Sequence, residues 1–179
     1  MNKLSPLEIK ALENNWMGGN SPCAEGFIKN LILKPYLEKL REYDVIEIGP
    51  GGDPINLHYQ CKSYTGVQPH ECYVPEIGWE RYILEDGLSY LRKQANSSAV
   101  IISFGVMDVD VLKYGDIFGK NQNNEKYMRE LSEEIKRVSS PFAIVVAGDA
   151  TKYMGKAEIN PTFDFFGGVY SFNKQWIHN

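Results

Sequence analysis

Basic clusters, paired cysteines and long apolar runs are all missing from this sequence, and each absence removes a class of protein. Lys and Arg number 19 against 23 Asp and Glu, for a net charge of −4. The nearest approach to a basic patch, Lys34, Lys39 and Arg41, reads as a solvated helix surface, so the electrostatic footprint of a nucleic-acid binder is absent. Cys23, Cys61 and Cys72 make an odd set without paired spacing, which fits a reduced interior better than a disulfide framework. His70-Glu71-Cys72 sets two zinc-type ligands close together, but no second His/Cys pair completes a tetrahedral site, and no metal is expected. Neither a secretory leader nor a membrane-length apolar run is visible, so the cytoplasm is the expected compartment, with no membrane partner.

What remains is an ordinary globular composition, 43% hydrophobic and 23% charged over 179 residues. That length suits one compact domain with a real core. Its most informative stretch runs Asp44-Val45-Ile46-Glu47-Ile48-Gly49-Pro50-Gly51-Gly52-Asp53-Pro54. The β-branched run suits a strand covered on both faces, and Gly49, Gly51 and Gly52 permit positive φ and close approach of a ligand. Asp53 followed by Pro54 is a strong helix start.

Glycine-rich strand-to-helix turns serve several nucleotide-binding folds, and the details here separate them. A P-loop needs Lys and Ser/Thr after its last glycine, and Asp53-Pro54-Ile55 supplies neither. A dinucleotide site rests a pyrophosphate on free amides at the helix N-terminus, where Asp53 places a negative charge and Pro54 removes a donor. The third glycine of that fingerprint would also fall on Pro54. A cofactor without phosphates meets neither objection.

The other elements follow in alternation. Leu4-Ser5-Pro6-Leu7-Glu8-Ile9 carries a capping box that starts a helix to about Asn14. Gly18-Gly19-Asn20 breaks it, Ser21-Pro22 starts another with Phe27, Leu31 and Ile32 at helical spacing, and Pro35 leaves Tyr36 to Leu40 as a final turn or a separate short helix. A helix from Pro54 precedes a strand at Tyr64–Val67, and a third strand is expected at Arg81–Leu84. Asp86 is placed to cap a helix over Leu88 to Lys93. Ala99 to Gly105 is a buried strand, Val106 to Asn124 a polar loop, and Glu125 to Val138 an amphipathic helix burying Tyr127, Met128, Leu131, Ile135 and Val138. Pro141 to Ala147 is the fifth strand. Gly167-Gly168 between two aromatic runs, Thr162 to Phe166 and Val169 to Phe172, predicts a tight antiparallel hairpin. Such alternation predicts an α/β fold with a doubly wound, mostly parallel sheet.

Glu47-x-Gly49-x-Gly51 resembles motif I of the class I S-adenosylmethionine-dependent methyltransferases, and the order of elements from Asp44 to Phe172 is similar to theirs. The resemblance implies a Rossmann-like, seven-stranded sheet with a C-terminal antiparallel hairpin. The cofactor, S-adenosylmethionine, would lie across the carboxyl ends of the first strands. It also implies an N-terminal helical segment over 1–42, a candidate lid containing Trp16 and Met17, followed by a methyltransferase-like domain over 43–179. Carried over position by position, the cofactor-binding set is Glu47, Gly49, Pro50 and Gly51 in the first loop; Gln68, where the family places a ribose-binding carboxylate; Asp86 and Gly87 for the adenine; and Ser103 and Phe104, whose main chain would take the methionine ammonium. Gln68 departs from the family, since its neutral oxygen accepts one bond without the strength of a carboxylate, and Glu71 is a possible substitute.

No catalytic residue is singled out. Asp108, Asp110 and Asp149 stand just beyond strand ends as candidate bases. Asp108 and Asp149 resemble the magnesium ligands of some O-methyltransferases, but Ala150 stands where that branch has an amide. No Asn-Pro-Pro-Tyr run follows the fourth strand, which argues against methylation of nucleobase or glutamine nitrogen. A small-molecule acceptor is expected, and a homodimer whose second copy supplies pocket walls is one expected assembly. Two alternatives stand behind this reading: a non-catalytic relative working through protein contacts, and a dinucleotide oxidoreductase.

Overall fold

Apolar, β-branched runs form strands wherever both faces of a ladder can be covered, and five such runs here align in parallel. A computed structural model describes residues 37–50, 61–69, 82–104, 106, 124–147, 149–158 and 167–172. Its strands are β1 (Asp44–Ile48), β2 (Ser63–Gln68), β3 (Tyr82–Leu84), β4 (Ala99–Phe104), β5 (Ser139–Val146) and β6 (Gly167–Ser171). They form one sheet in the order β3-β2-β1-β4-β5-β6, with β6 alone antiparallel. The described helices are α1 (Leu37–Leu40), α2 (Gly87–Leu91), α3 (Asn124–Val138) and α4 (Ala150–Met154). This is the doubly wound, class I methyltransferase-like α/β arrangement, and strand order reverses between β1 and β4. The expected helices before Leu37, the candidate lid and the helix from Pro54 lie outside the described residues.

Strand alternation divides the sheet into two faces. Ile46, Ile48, Val67, Ile101, Ala143 and Val145 share a core with Leu88 and Leu91 of α2, Met128, Leu131 and Ile135 of α3, and Tyr153 and Met154 of α4. The whole expected stripe of α3 is buried in that core, from Tyr127 to Val138. On the opposite face Val45, Val100, Ile102, Phe142, Ile144 and Val146 are equally buried, and the Tyr43 ring meets Phe142 edge-on at 6.1 Å. Burial on both faces is what a parallel sheet requires.

The C-terminal antiparallel element is present, but its glycines lie elsewhere than expected. Gly167 and Gly168 sit within β6, opposite Val146 and Val145 of β5, rather than in a turn. Pairing with the exposed edge of β5 supplies ladder hydrogen bonds that outweigh the local turn preference of two glycines. The expected first arm, Thr162 to Phe166, lies outside the described residues. Six strands belong to the sheet among the described residues, against the seven implied by resemblance. Among the described residues no helix is long and apolar enough to cross a membrane.

One guanidinium fastens α2 to α3. Arg137, in the last turn of α3, donates to the carbonyl oxygens of Leu91 at 2.7 Å and Gln94 at 2.8 Å, to Asn96 Oδ1 at 2.7 Å and to Glu134 at 2.7 Å. Leu91 ends α2 and Gln94 lies in the turn just after it, so Arg137 binds main-chain oxygens where the helix has run out. Replacing it strands several acceptors at once. Arg137→Ala is expected to cost about 2 kcal/mol in urea denaturation, and Arg137→Lys to recover less than half of that, because an ammonium cannot reproduce the planar fork. A loss below about 0.5 kcal/mol, the usual range for surface substitutions, would show that water replaces these bonds.

Candidate functional site

The carboxyl ends of β1, β2, β3 and β4 lie along one edge of the sheet, around the point where strand order reverses. Ligands in open α/β sheets bind at such an edge because the loops diverge there and leave a crevice. Glu47, Gly49 and Pro50 reach it from β1, Gln68 from β2, Asp86 and Gly87 from β3, and Ser103 and Phe104 from β4. The fold therefore gathers the positions that the sequence assigned to a cofactor, apart from Gly51, which lies outside the described residues.

At the end of β1 the chain turns through Gly49 at φ +69°. Its amide donates to the Val67 carbonyl oxygen at 2.8 Å. A Cβ built on Gly49 would stand 2.3 Å from Cγ2 of Val106, just after β4. Glycine is thus demanded twice, by a left-handed backbone and by the close approach of a neighbouring segment. Gly87 is similarly constrained, since a Cβ there would meet Ile48 Cγ2 at 2.7 Å. That contact seats the start of α2 directly against the end of β1.

Glu47 is fully buried and accepts a hydrogen bond from the Tyr64 hydroxyl at 2.6 Å. Gly66, its partner across β2, makes room for the Tyr82 ring, which would lie 2.8 Å from an added Cβ. Glu47 therefore sits in a tyrosine-lined interior. Burial, reinforced by the Glu47 charge, raises the Tyr64 phenol well above its ordinary range, so it stays protonated as a donor. The same two causes push the Cys61 thiol up to about 11.

Gln68 is buried as well, at 4% exposure. Its main-chain oxygen accepts from the Glu85 amide at 3.1 Å, which draws the end of β3 against that of β2. Ser103 is 1% exposed, and its hydroxyl has no hydrogen-bond partner among the described residues. By register it shares the α2/α3 face with Ile48 and Val145, whereas Phe104 alternates to the other face.

Asp86 carries the most chemistry at this edge. It is half-buried, and it caps α2 by accepting from the Ser89 amide at 2.9 Å through Oδ2. The capping role weighed from the sequence is thus present. Its other oxygen, Oδ1, accepts from the Tyr127 hydroxyl of α3. Sequence periodicity placed Tyr127 only in the apolar stripe, because no local pattern encodes a partner 41 residues away. Val106 and Tyr64 were missed as site-shaping residues for the same reason.

Charge at this edge is predominantly acidic. Among the described residues, Glu47, Glu85, Asp86 and Asp149 stand at or just beyond strand carboxyl ends, and Glu85 pairs with Lys93 at 2.5 Å. Such an edge disfavours a polyphosphate and favours a cationic or hydrogen-donating ligand. Leu84, 52% exposed two residues before Asp86, offers an apolar surface beside the carboxylate. Among the described residues no group of three His, Cys, Asp or Glu could hold a metal ion, and Asp108, Asp110, His70 and Cys72 lie outside them.

No family model and no curated protein matches this sequence. Among solved structures, the chain is similar to a SAM dependent methyltransferase from Archaeoglobus fulgidus, at 17% identity and a TM-score of 0.47. The match covers 78% of this chain and spans 58% of the methyltransferase's length. A point mutant of MtNAS, a nicotianamine synthase, matches at 13% identity and a TM-score of 0.36, over 93% of this chain and 70% of its own.

Two outcomes follow from the geometry of the β1 edge. Gly49→Ala is expected to cost about 3 kcal/mol in urea denaturation, combining a left-handed backbone penalty with overpacking against Val106. In a Val106→Ala background the cost should fall to the backbone share of about 1–2 kcal/mol; an unchanged cost would mean that Val106 moves aside. Cys61 should alkylate slowly at pH 8 and faster as pH approaches 11, with Glu47→Gln accelerating it at fixed pH, as followed for each cysteine by mass spectrometry. Because folding raises this pKa, its contribution to stability is complete below about pH 9 and is lost as pH rises through about 11. Alkylation at pH 8 as fast as that of a free thiol would contradict the assigned burial.

Proposed function

We propose that this protein is a small S-adenosylmethionine-dependent methyltransferase acting on a small-molecule acceptor. The observation that carries the reading is Asp86: a half-buried carboxylate at the end of β3, beside the switch point of a methyltransferase-like sheet, on an edge whose charge is unsuited to phosphates. When bound, the cofactor supplies an electrophilic methyl on a sulfonium. The chain's own part is to hold it and bring the acceptor into line. On this reading Asp86 accepts from the adenine amino group, the Gly87 amide faces the ring, and main-chain carbonyls at Ser103 and Phe104 take the ammonium. Gln68 serves the ribose less strongly than a carboxylate would. Residues 1–42 are proposed as cover for the cofactor, and a second copy of the chain as a source of pocket walls.

A second reading is supported by Gln68 and by the bonds that Asp86 already holds. Gln68 is buried where the family has an acid, and both oxygens of Asp86 already accept one bond. A non-catalytic methyltransferase-like protein that binds the cofactor weakly or not at all and works through protein contacts accounts for both. A dinucleotide oxidoreductase is the third reading, and the acidic edge counts against it.

Calorimetric titration with S-adenosylmethionine and S-adenosylhomocysteine separates the three. Micromolar binding by the native chain, lost in folded Asp86→Ala and Gly51→Val variants, is the expected result and justifies a screen of small acceptors. No binding at millimolar ligand by a folded chain selects the non-catalytic reading. Binding of NAD(H) or NADP(H) instead would overturn the proposal.

A further inference from the structure

Asp86 is held from two directions, and the second hold has no explanation in capping. The Ser89 amide engages Oδ2 from within α2, and the Tyr127 hydroxyl engages Oδ1 from α3. Tyr127 is itself locked. The Leu88 main chain also hydrogen-bonds to its phenol; the only hydrogen Leu88 can offer is its amide N–H, so the phenol oxygen accepts there and the hydroxyl hydrogen must point elsewhere, toward Asp86. Burial, followed by the bond to Asp86, raises this phenol far above its ordinary range. It therefore remains a donor around neutral pH. Tyr127 is 9% exposed, and its ring belongs to the core shared by α2, α3 and the sheet.

An ionised carboxylate has about four acceptor positions, so two remain after these bonds. Two fixed donors, one on each oxygen, prevent the carboxylate from turning without losing a bond. What is left is an oriented carboxylate with acceptor positions to spare. A purine with a 6-amino group presents a donor to it; a purine with a 6-oxo group presents an acceptor. Sites built to pair with a specific hydrogen-bonding group reject the analogue that lacks it far more strongly than apolar pockets reject a change of size.

We infer that Tyr127 is a positioning residue that fixes Asp86 as an acceptor-only reader of the nucleobase, so that the site selects 6-amino over 6-oxo purine nucleosides. The inference rests on the methyltransferase reading above and adds to it a residue and a specificity. Its test is the ratio of two affinities, because a general loosening of the fold would lower both affinities together and leave the ratio unchanged.

The experiment titrates the full chain with S-adenosylhomocysteine and with its hypoxanthine counterpart, S-inosylhomocysteine. The native protein is expected to prefer the 6-amino ligand by at least about tenfold, since mispaired buried polar groups cost on that order or more. Tyr127→Phe keeps the ring in the core and removes only the hydroxyl; it should reduce the preference several-fold while the melting temperature stays within a few degrees. Asp86→Asn, whose amide can donate, should bring the preference close to one or reverse it. Equal weakening of both ligands in Tyr127→Phe, or no preference in the native chain, overturns this inference and leaves the methyltransferase reading standing. Failure of both ligands to bind the folded native chain overturns both.

Discussion

Burial of the central strands on both faces is the constraint from which the other features follow. β4 has no exposed residue, and β1 has only its first residue partly open. A ladder enclosed in this way has satisfied its main chain internally, and its polar variation is confined to where strands end. The switch between β1 and β4 adds a second condition: the first residues after these two strands pack against each other. Val106 approaches Gly49 so closely there that no other residue fits at position 49 without movement. The glycine turn that resembles a cofactor loop is thus also a packing requirement of the bare fold.

The same economy applies at β3. Asp86 starts α2, ties it to α3 and stands at the crevice, while Gly87 lets the helix start pack on Ile48. α2 is a helix of five residues, too short to be stable by propensity alone. Its hold on the molecule comes from Leu88 and Leu91 in the core, the Asp86 cap at one end and Arg137 at the other. Anything that reads a ligand through Asp86 is consequently built on a short element clamped at both ends by side chains of α3. That coupling makes α3 part of the site although its sequence is that of an ordinary amphipathic helix.

Much of this fold was legible because its signals are local. Continuous β-branched runs gave β1, β4 and β5 within one or two residues, and apolar spacing gave α3 with its buried face. Asp86 followed by Gly87, Leu88 and Ser89 carries its own cap. The misplaced element shows where local signals fail. Gly167 and Gly168 between aromatic runs have the composition of a turn, and what makes them strand is the open edge of β5, which no window around residue 167 contains. Tyr127 failed in the same manner. Its spacing with Met128 and Leu131 was enough to bury the ring, and the destination of its hydroxyl depends on how α3 crosses α2. Glu47 and Tyr64 are a third case, a pair made by parallel register between strands whose sequences give no sign of each other.

Both a structural and a recognition role for Asp86 are compatible because they draw on different lone pairs. A neutral side chain in its place would be exhausted by capping: the single oxygen of an Asn that accepts from Ser89 and Tyr127 has nothing left to offer a ligand. The carboxylate keeps one free position on each oxygen after serving both elements. Its negative charge stands beside Glu85 at the end of β3, with Asp149 beyond the end of β5 among the described residues. Gln68 then has a physical sense as well. Another carboxylate at the end of β2, buried as deeply as Gln68 is, would add a desolvated like charge to an edge already holding several, and a neutral amide avoids that repulsion while keeping an oxygen in place. On the proposed reading, the amide at position 68 and the acid at position 86 are parts of one electrostatic balance.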